Sequence, residues 1–343
     1  MAEKKGLARQ PGSAFLELQA MLEPGKAHVV EEKTRVQNEQ DDHGGPPEAG
    51  GVHREVELNL QPRKVERIVT PQAVMEGAGV RLRRSIATRE LDYVDPFLLL
   101  DHFGSDNPED YIRGFPMHPH RGIETVTYML SGYVEHKDSI GNAGRIGPGD
   151  VQWMTAGRGI MHEEMPQPGP KGMAGFQLWV NLPAKLKMTQ PRYQEVPSAS
   201  IPEVKREDGK MIRVIAGEVD GVTGAVTEIA ADPTYLDVSL PAGATFSQPV
   251  PRGHAAFAYV FDGEGTFGVG EGGQGTVAAG PRLLIFGDGD GVTVSAPEKP
   301  VRFLLVSGKP LHEPIARYGP FVMNTREEIQ QALDDLRNGT FVR

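Results

Sequence analysis

From Lys64 onward the chain is broken into short aliphatic and β-branched runs, each bounded by Gly, Pro, Asn or Asp. That texture commits it to an all-β fold. The runs include VERIVT, PFLLL, ETVTYML, DVQWM and FQLWVNL, then MIRVIAG, YLDVSL, AAFAYVF, RLLIF and VRFLLVSG, spaced as in a sandwich or barrel. The 42 Gly and 28 Pro supply turns in place of long helices. Only Thr325 to Arg337, TREEIQQALDDLR, carries a helix signature. Thr325 can cap it, Glu328 sits three residues later, and Ile329, Ala332, Leu333 and Leu336 share one face.

At 343 residues the chain exceeds what one hydrophobic core serves, and an internal repeat indicates how it divides. An offset of 131 positions superposes Tyr128 on Tyr259, Gly132 on Gly263, Gly141 on Gly272, Gly144 on Gly275 and Gly149 on Gly280. One hairpin scaffold therefore occurs twice, and the expected organisation is two β-barrels in tandem. Residues 63–190 form the first and residues 191–343 the second, which ends in the helix. A polar, Pro-rich connection spans residues 185–205. Residues 1–62 are polar, with charges of both signs, and read as a mobile extension; within it Ala14 to Leu22 is a short apolar patch of helical type.

The net charge of −10 argues against direct nucleic-acid binding, which needs clustered Lys and Arg. No apolar run approaches the length of a membrane helix and no signal sequence is evident, so a cytoplasmic protein is expected. With no Cys, disulfides, thiol nucleophiles and zinc fingers are excluded. Any metal must take nitrogen and oxygen ligands.

Five of the ten histidines, His102, His118, His120, His136 and His162, fall within the first expected barrel. In FPMHPHRGIE, His118 and His120 are two apart, so on an extended strand both leave the same face. In GIMHEEMP, His162 and Glu164 repeat that spacing. Two strands each presenting such a pair to a barrel interior would gather three imidazoles and one carboxylate, an N3O1 donor set with room for water or substrate.

The runs DPFLLLDHFG, GFPMHPHRGIETVTYMLSGYVEHKDS, GRIGPGDVQWMTAGRGIMHEEMP and FQLWVNLP, with YGPFVMNTREEIQQAL near the end, resemble the pirin family of bicupins over about residues 65–337. The resemblance implies two cupin barrels of the double-stranded β-helix or jelly-roll type, with one metal in the N-terminal one. By position its ligands would be His118, His120, His162 and Glu164. The general cupin pattern would instead use Glu124, which follows the HxH pair; here it is the alternative, expected in a supporting role. The slot where other cupins place a later His is filled by Trp153. At the repeat offset the four ligands fall on Pro249, Pro251, Thr293 and Ser295, so the second barrel is expected to lack a site.

The resemblance further implies Fe(II) as the cofactor, with Mn, Ni, Cu, Co or Zn as alternatives, and a 2,3-dioxygenase that opens quercetin-like flavonols with O2. Glu124 or Glu164 would assist deprotonation of the substrate hydroxyl. His136, Gln177 and Trp179 are further candidates for the pocket or its support. Small aromatic substrate and O2 are thus the expected partners. The alternative implied role is regulatory: an iron-bearing protein binding a transcription factor or metabolic enzyme according to redox state.

Overall fold

A computed structural model describes Val29–Val30 and residues 60–342, apart from positions 170, 207 and 271. The patch at 14–22 lies outside the described residues, as does the expected extension apart from residues 60–62 and Val29–Val30, which pairs antiparallel with Ile315–Tyr318.

Two sheets make the first barrel. Seven strands run in the order Arg192–Val196, Val151–Thr155, Ile123–Ser131, Met173–Asn181, Phe97–Ser105, Val80–Ile86, Gln72–Glu76. The other sheet has four, Phe115–His120, Ile160–Gln167, Tyr133–Asp138 and Ala143–Ile146. The second barrel repeats the plan around the strand Ala255–Phe267, which joins a sheet containing Thr234–Leu240 and Val301–Gly308 to the smaller Thr245–Pro249 and Gly291–Ser295 pair. The repeated glycines carry the repeated turns: Gly132 and Gly263 have φ of 75° and 73°, left-handed values that residues with a Cβ adopt at a cost.

Strand membership does not follow the linear division. Val65–Val69 pairs with Arg282–Phe286 in the second barrel, whereas Arg192–Val196, beyond residue 190, completes the first through Val151–Thr155. The cause at the N-terminal side is Arg63, whose buried guanidinium donates to the carbonyls of His254 at 2.8 Å, Gly287 at 3.0 Å and Pro251 at 2.6 Å. Three carbonyls on loops of the second barrel hold the chain there before it crosses to the first.

The large sheets pack face to face through one continuous core that includes Val126, Tyr128, Trp153 and Phe176 from the first barrel and Tyr235, Phe257, Tyr259 and Leu304 from the second. The repeated tyrosines both make polar contacts across this interface. Tyr128 donates to Asp237 at 2.6 Å, and Asp237 is also bound by both arms of Arg302, at 3.0 and 2.6 Å. Tyr259 lies 3.1 Å from Nδ1 of His102, whose ring stacks on Phe176. His102 is thus an interface residue, held neutral by burial, which lowers its pKa to about 4.

The C-terminal segment returns to the first barrel. A hairpin of Ile315–Tyr318 and Phe321–Met323 leads into the helix Arg326–Arg337, which carries the expected Thr325–Glu328 capping box. Ile329 and Ala332 are buried against Phe321, Met323 and Phe341, with Leu333 and Leu336 flanking them. Among the described residues no helix is long and apolar enough to cross a membrane.

Candidate metal centre

The strands Phe115–His120 and Ile160–Gln167 are antiparallel neighbours, with His162 opposite His118 and Ile160 opposite His120. This register converges the three imidazoles. Ring centroids lie 4.4 Å apart for His118 and His162, 4.9 Å for His118 and His120, and 5.0 Å for His120 and His162. One nitrogen from each lies within 4.8 Å of the other two.

The ring nitrogens fit a cation. His118 Nδ1 donates to the Pro116 carbonyl at 2.9 Å, which fixes the tautomer and leaves Nε2 as the lone-pair donor. Both nitrogens of His162 and Nδ1 of His120 are buried without a hydrogen-bond partner, an arrangement costly for a polar atom that nothing satisfies. Burial also keeps the rings unprotonated. It lowers the pKa of His162 to about 3 and, with the neighbouring His162 adding to the effect, that of His118 to about 4; His120 shifts the same way. Three neutral imidazoles are therefore ready as ligands at neutral pH.

Glu164 stands beside this cluster but outside it. Thr127 donates to its Oε1 at 3.1 Å, and Gln177 Nε2 approaches the two oxygens at 3.4 and 3.3 Å. A register shift between His162 and Glu164 in the ladder with Phe115–His120 re-aims the strand at this point.

His118, His120, Glu164, Thr127, Gln177 and Trp179 all line one cavity of about 590 Å³. Trp179 meets His120 edge to face at 5.2 Å and carries the Arg317 guanidinium 5.2 Å from its ring centre. A charged wall continues from there: Arg84 binds both oxygens of Asp101, at 2.8 and 2.7 Å, and Glu76 at 2.9 Å. Thr127, Arg84 and Arg317 were not evident as site residues in the sequence. Thr127 had a signal, since it shares a strand face with Thr125 and Met129; Arg317 had none, because it arrives from the far end of the chain.

Glu124 is not brought to the site. It lies on the opposite face of its strand from Thr127, directly across from Thr155, whose hydroxyl donates to it at 2.8 Å, and burial raises its pKa. Trp153 occupies the same outer face, in the core between the barrels. His136 pairs across the ladder with Glu164 and places Nε2 2.7 Å from Glu195, stacked on Tyr193. Its ring needs Gly144 alongside, where a Cβ would stand 2.5 Å from Nε2.

In the second barrel the ladder sets Thr293 opposite Ser247, their hydroxyls 3.1 Å apart, and Pro249 opposite Gly291. His118 therefore has Ser247, not Pro249, as its ladder counterpart, because that strand is displaced by two residues from the constant offset. Neither residue is an imidazole. Among the described residues the three histidines are the one cluster of this kind.

Two cupin barrels, one with converging histidines around a cavity and one without, define a bicupin with a single candidate metal centre. Family comparison agrees: residues 79–180 match the model described as pirin and residues 235–342 that of the pirin C-terminal cupin domain. The chain belongs to the pirin family. A pirin-like protein of Caulobacter vibrioides is 48% identical over 280 residues, 81% of this chain and 99% of that protein. Human pirin is 45% identical over 279 residues, covering 80% of this chain and 93% of its own length. The crystal structure of a protein named quercetin 2,3-dioxygenase from Acinetobacter baumannii superposes with a TM-score of 0.73 at 36% identity, spanning 82% of this chain and 98% of that one.

Proposed function

We propose that this pirin is an Fe(II)-dependent dioxygenase that opens quercetin-like flavonols with O2, with His118, His120, His162 and Glu164 holding the metal. The observation that carries the reading is the convergence of three neutral imidazoles, with buried nitrogens of His120 and His162 lacking hydrogen-bond partners, beside a cavity of about 590 Å³ that His118 and His120 line, a volume suited to a small aromatic ligand. The name of the Acinetobacter relative supports the substrate class.

When bound, iron would supply Lewis acidity toward a substrate hydroxyl and an electron path to O2. The remaining work falls to the chain. Pro116 holds His118 in the donor tautomer. Thr127 and Gln177 orient the Glu164 carboxylate, which can complete the ligand set or take the proton of a substrate hydroxyl. Trp179 offers an apolar face to a flat ring, and the wall of Arg84, Asp101 and Arg317 bounds the cavity on the polar side. Glu124, on the far face of the sheet, takes no part in this scheme.

Anaerobic loading with Fe(II), followed by quercetin and O2, tests it. Flavonol absorbance should bleach with release of CO. No turnover with Fe(II) or with Mn, Ni, Cu, Co or Zn would refute the assignment. His120→Ala should lose metal while keeping the fold, and full metal occupancy in that variant would overturn the ligand set.

A further inference from the structure

We propose that Asp335, on the C-terminal helix, is a positioning residue of the metal centre that acts through Arg121 on His120; the inference rests on the metal-site reading above. Arg121 follows His120 directly, and its buried side chain runs away from the cavity. There Nη1 donates to Asp335 Oδ2 at 2.8 Å, Nη2 reaches the Phe341 carbonyl at 3.5 Å, and the guanidinium lies 4.4 Å from the centre of the Phe341 ring. A buried guanidinium holds its place only while its countercharge does.

The backbone at this point is tied to the same segment. Arg121 N donates to Pro320 O at 3.4 Å, and its carbonyl accepts from Val322 N at 3.1 Å. Gly122 N donates to Gly157 O at 2.8 Å, joining the turn that ends the HPH strand to the turn that begins the HEE strand. The buried Lys187 ammonium then bridges the carbonyls of Gly122 at 3.0 Å and Val322 at 2.9 Å. The fit is close: a Cβ on Gly122 would stand 2.0 Å from Val322 O, and one on Gly159 would stand 2.8 Å from Phe341 O. The relative placement of His120 and His162 is thus set from outside the barrel, by a segment some two hundred residues downstream, as the separation of 214 between Arg121 and Asp335 records. Without the Asp335 charge, Arg121 would turn toward solvent and draw the end of the His120 strand with it.

Co(II) binding to the full chain, measured by chelator competition and by the d–d spectrum of the bound ion, provides the test. Asp335→Asn should weaken Co(II) binding about tenfold, at the lower end of what displaced support around a metal ligand costs, and alter the spectrum; Asp335→Glu should restore most of both. Thr325→Ala is the control, because it removes the cap at the other end of the helix. It should lower the melting temperature with affinity and spectrum unchanged. Wild-type affinity and spectrum in Asp335→Asn, or equal weakening in Thr325→Ala, would overturn the proposal. If Asp335→Asn does not fold, Phe341→Leu, which removes the ring beneath Arg121, should weaken Co(II) binding, and unchanged binding there counts equally against it. If the unaltered chain takes up no Co(II), the metal-site reading itself is refuted and the inference falls with it.

Discussion

Consider the metal-free protein titrated with acid after His162 has been replaced by asparagine. In the native state burial holds the His162 pKa at about 3, whereas the unfolded chain has an ordinary imidazole near 6.5. Between those values the unfolded state binds a proton that the native state refuses, so stability is fully present above about 6.5 and drains away as the pH falls. At pH 5 the unfolded ring lies about 1.5 units below its midpoint, and at about 1.36 kcal/mol per unit His162 alone removes about 2 kcal/mol. His102 contributes in the same direction but is present in both proteins and cancels, whereas His118 and His120, whose shifts His162 deepens, can only enlarge the difference. The assay is urea denaturation with chelator at pH 7.5 and pH 5.0. His162→Asn should lose about 2 kcal/mol less than the parent across that interval, whatever its absolute stability. Equal losses would mean that His162 is solvated or charged in the native state, and the argument for a preformed neutral donor would fail.

Four further outcomes follow. Tyr128→Phe should cost about 2 kcal/mol in urea unfolding, because a 2.6 Å hydrogen bond to a carboxylate is lost; Tyr259→Phe, whose partner is the neutral His102, should cost about 1 kcal/mol. Gly144→Ala drives a methyl group against His136 and should destabilise the fold by about 1–3 kcal/mol, and the loss should shrink when His136→Ala is added. Ni(II) at a hundred times its dissociation constant should stabilise the protein by about 2.7 kcal/mol, a gain that calorimetry should find missing in His120→Ala.

The barrels and the histidine pairs were legible because both depend on local spacing: turn residues mark strand ends, and residues two apart on a strand share a face. What failed to show is what crosses turns. His120 and Glu124 would share a face on one continuous strand, but Gly122, with φ of 80°, separates a strand of the small sheet from one of the large sheet. Parity does not survive the turn, and Glu124 is carried to the far side. The two-residue displacement of Ser247 is a slip of the same kind, invisible to a constant offset. The exchange of Val65–Val69 into the second barrel and the return of Asp335 to Arg121 depend on contacts between residues about two hundred positions apart, for which one sequence holds no local signal.

The two tyrosines that the repeat superposes also have matching partners. Tyr128 sits beside Phe176, which sits beside His102; Tyr259 sits beside Leu304, which sits beside Asp237. Each tyrosine reaches across to the position that its counterpart's sheet holds two strands away. That reciprocity is the signature of an isologous dimer, in which a patch meets its own copy, here written into a single chain. Within one chain the halves need not be identical: one contact is made to a histidine, the other to an aspartate that Arg302 binds. The candidate metal centre shows the same difference, with His118 and His162 in one barrel standing where its twin has Ser247 and Thr293.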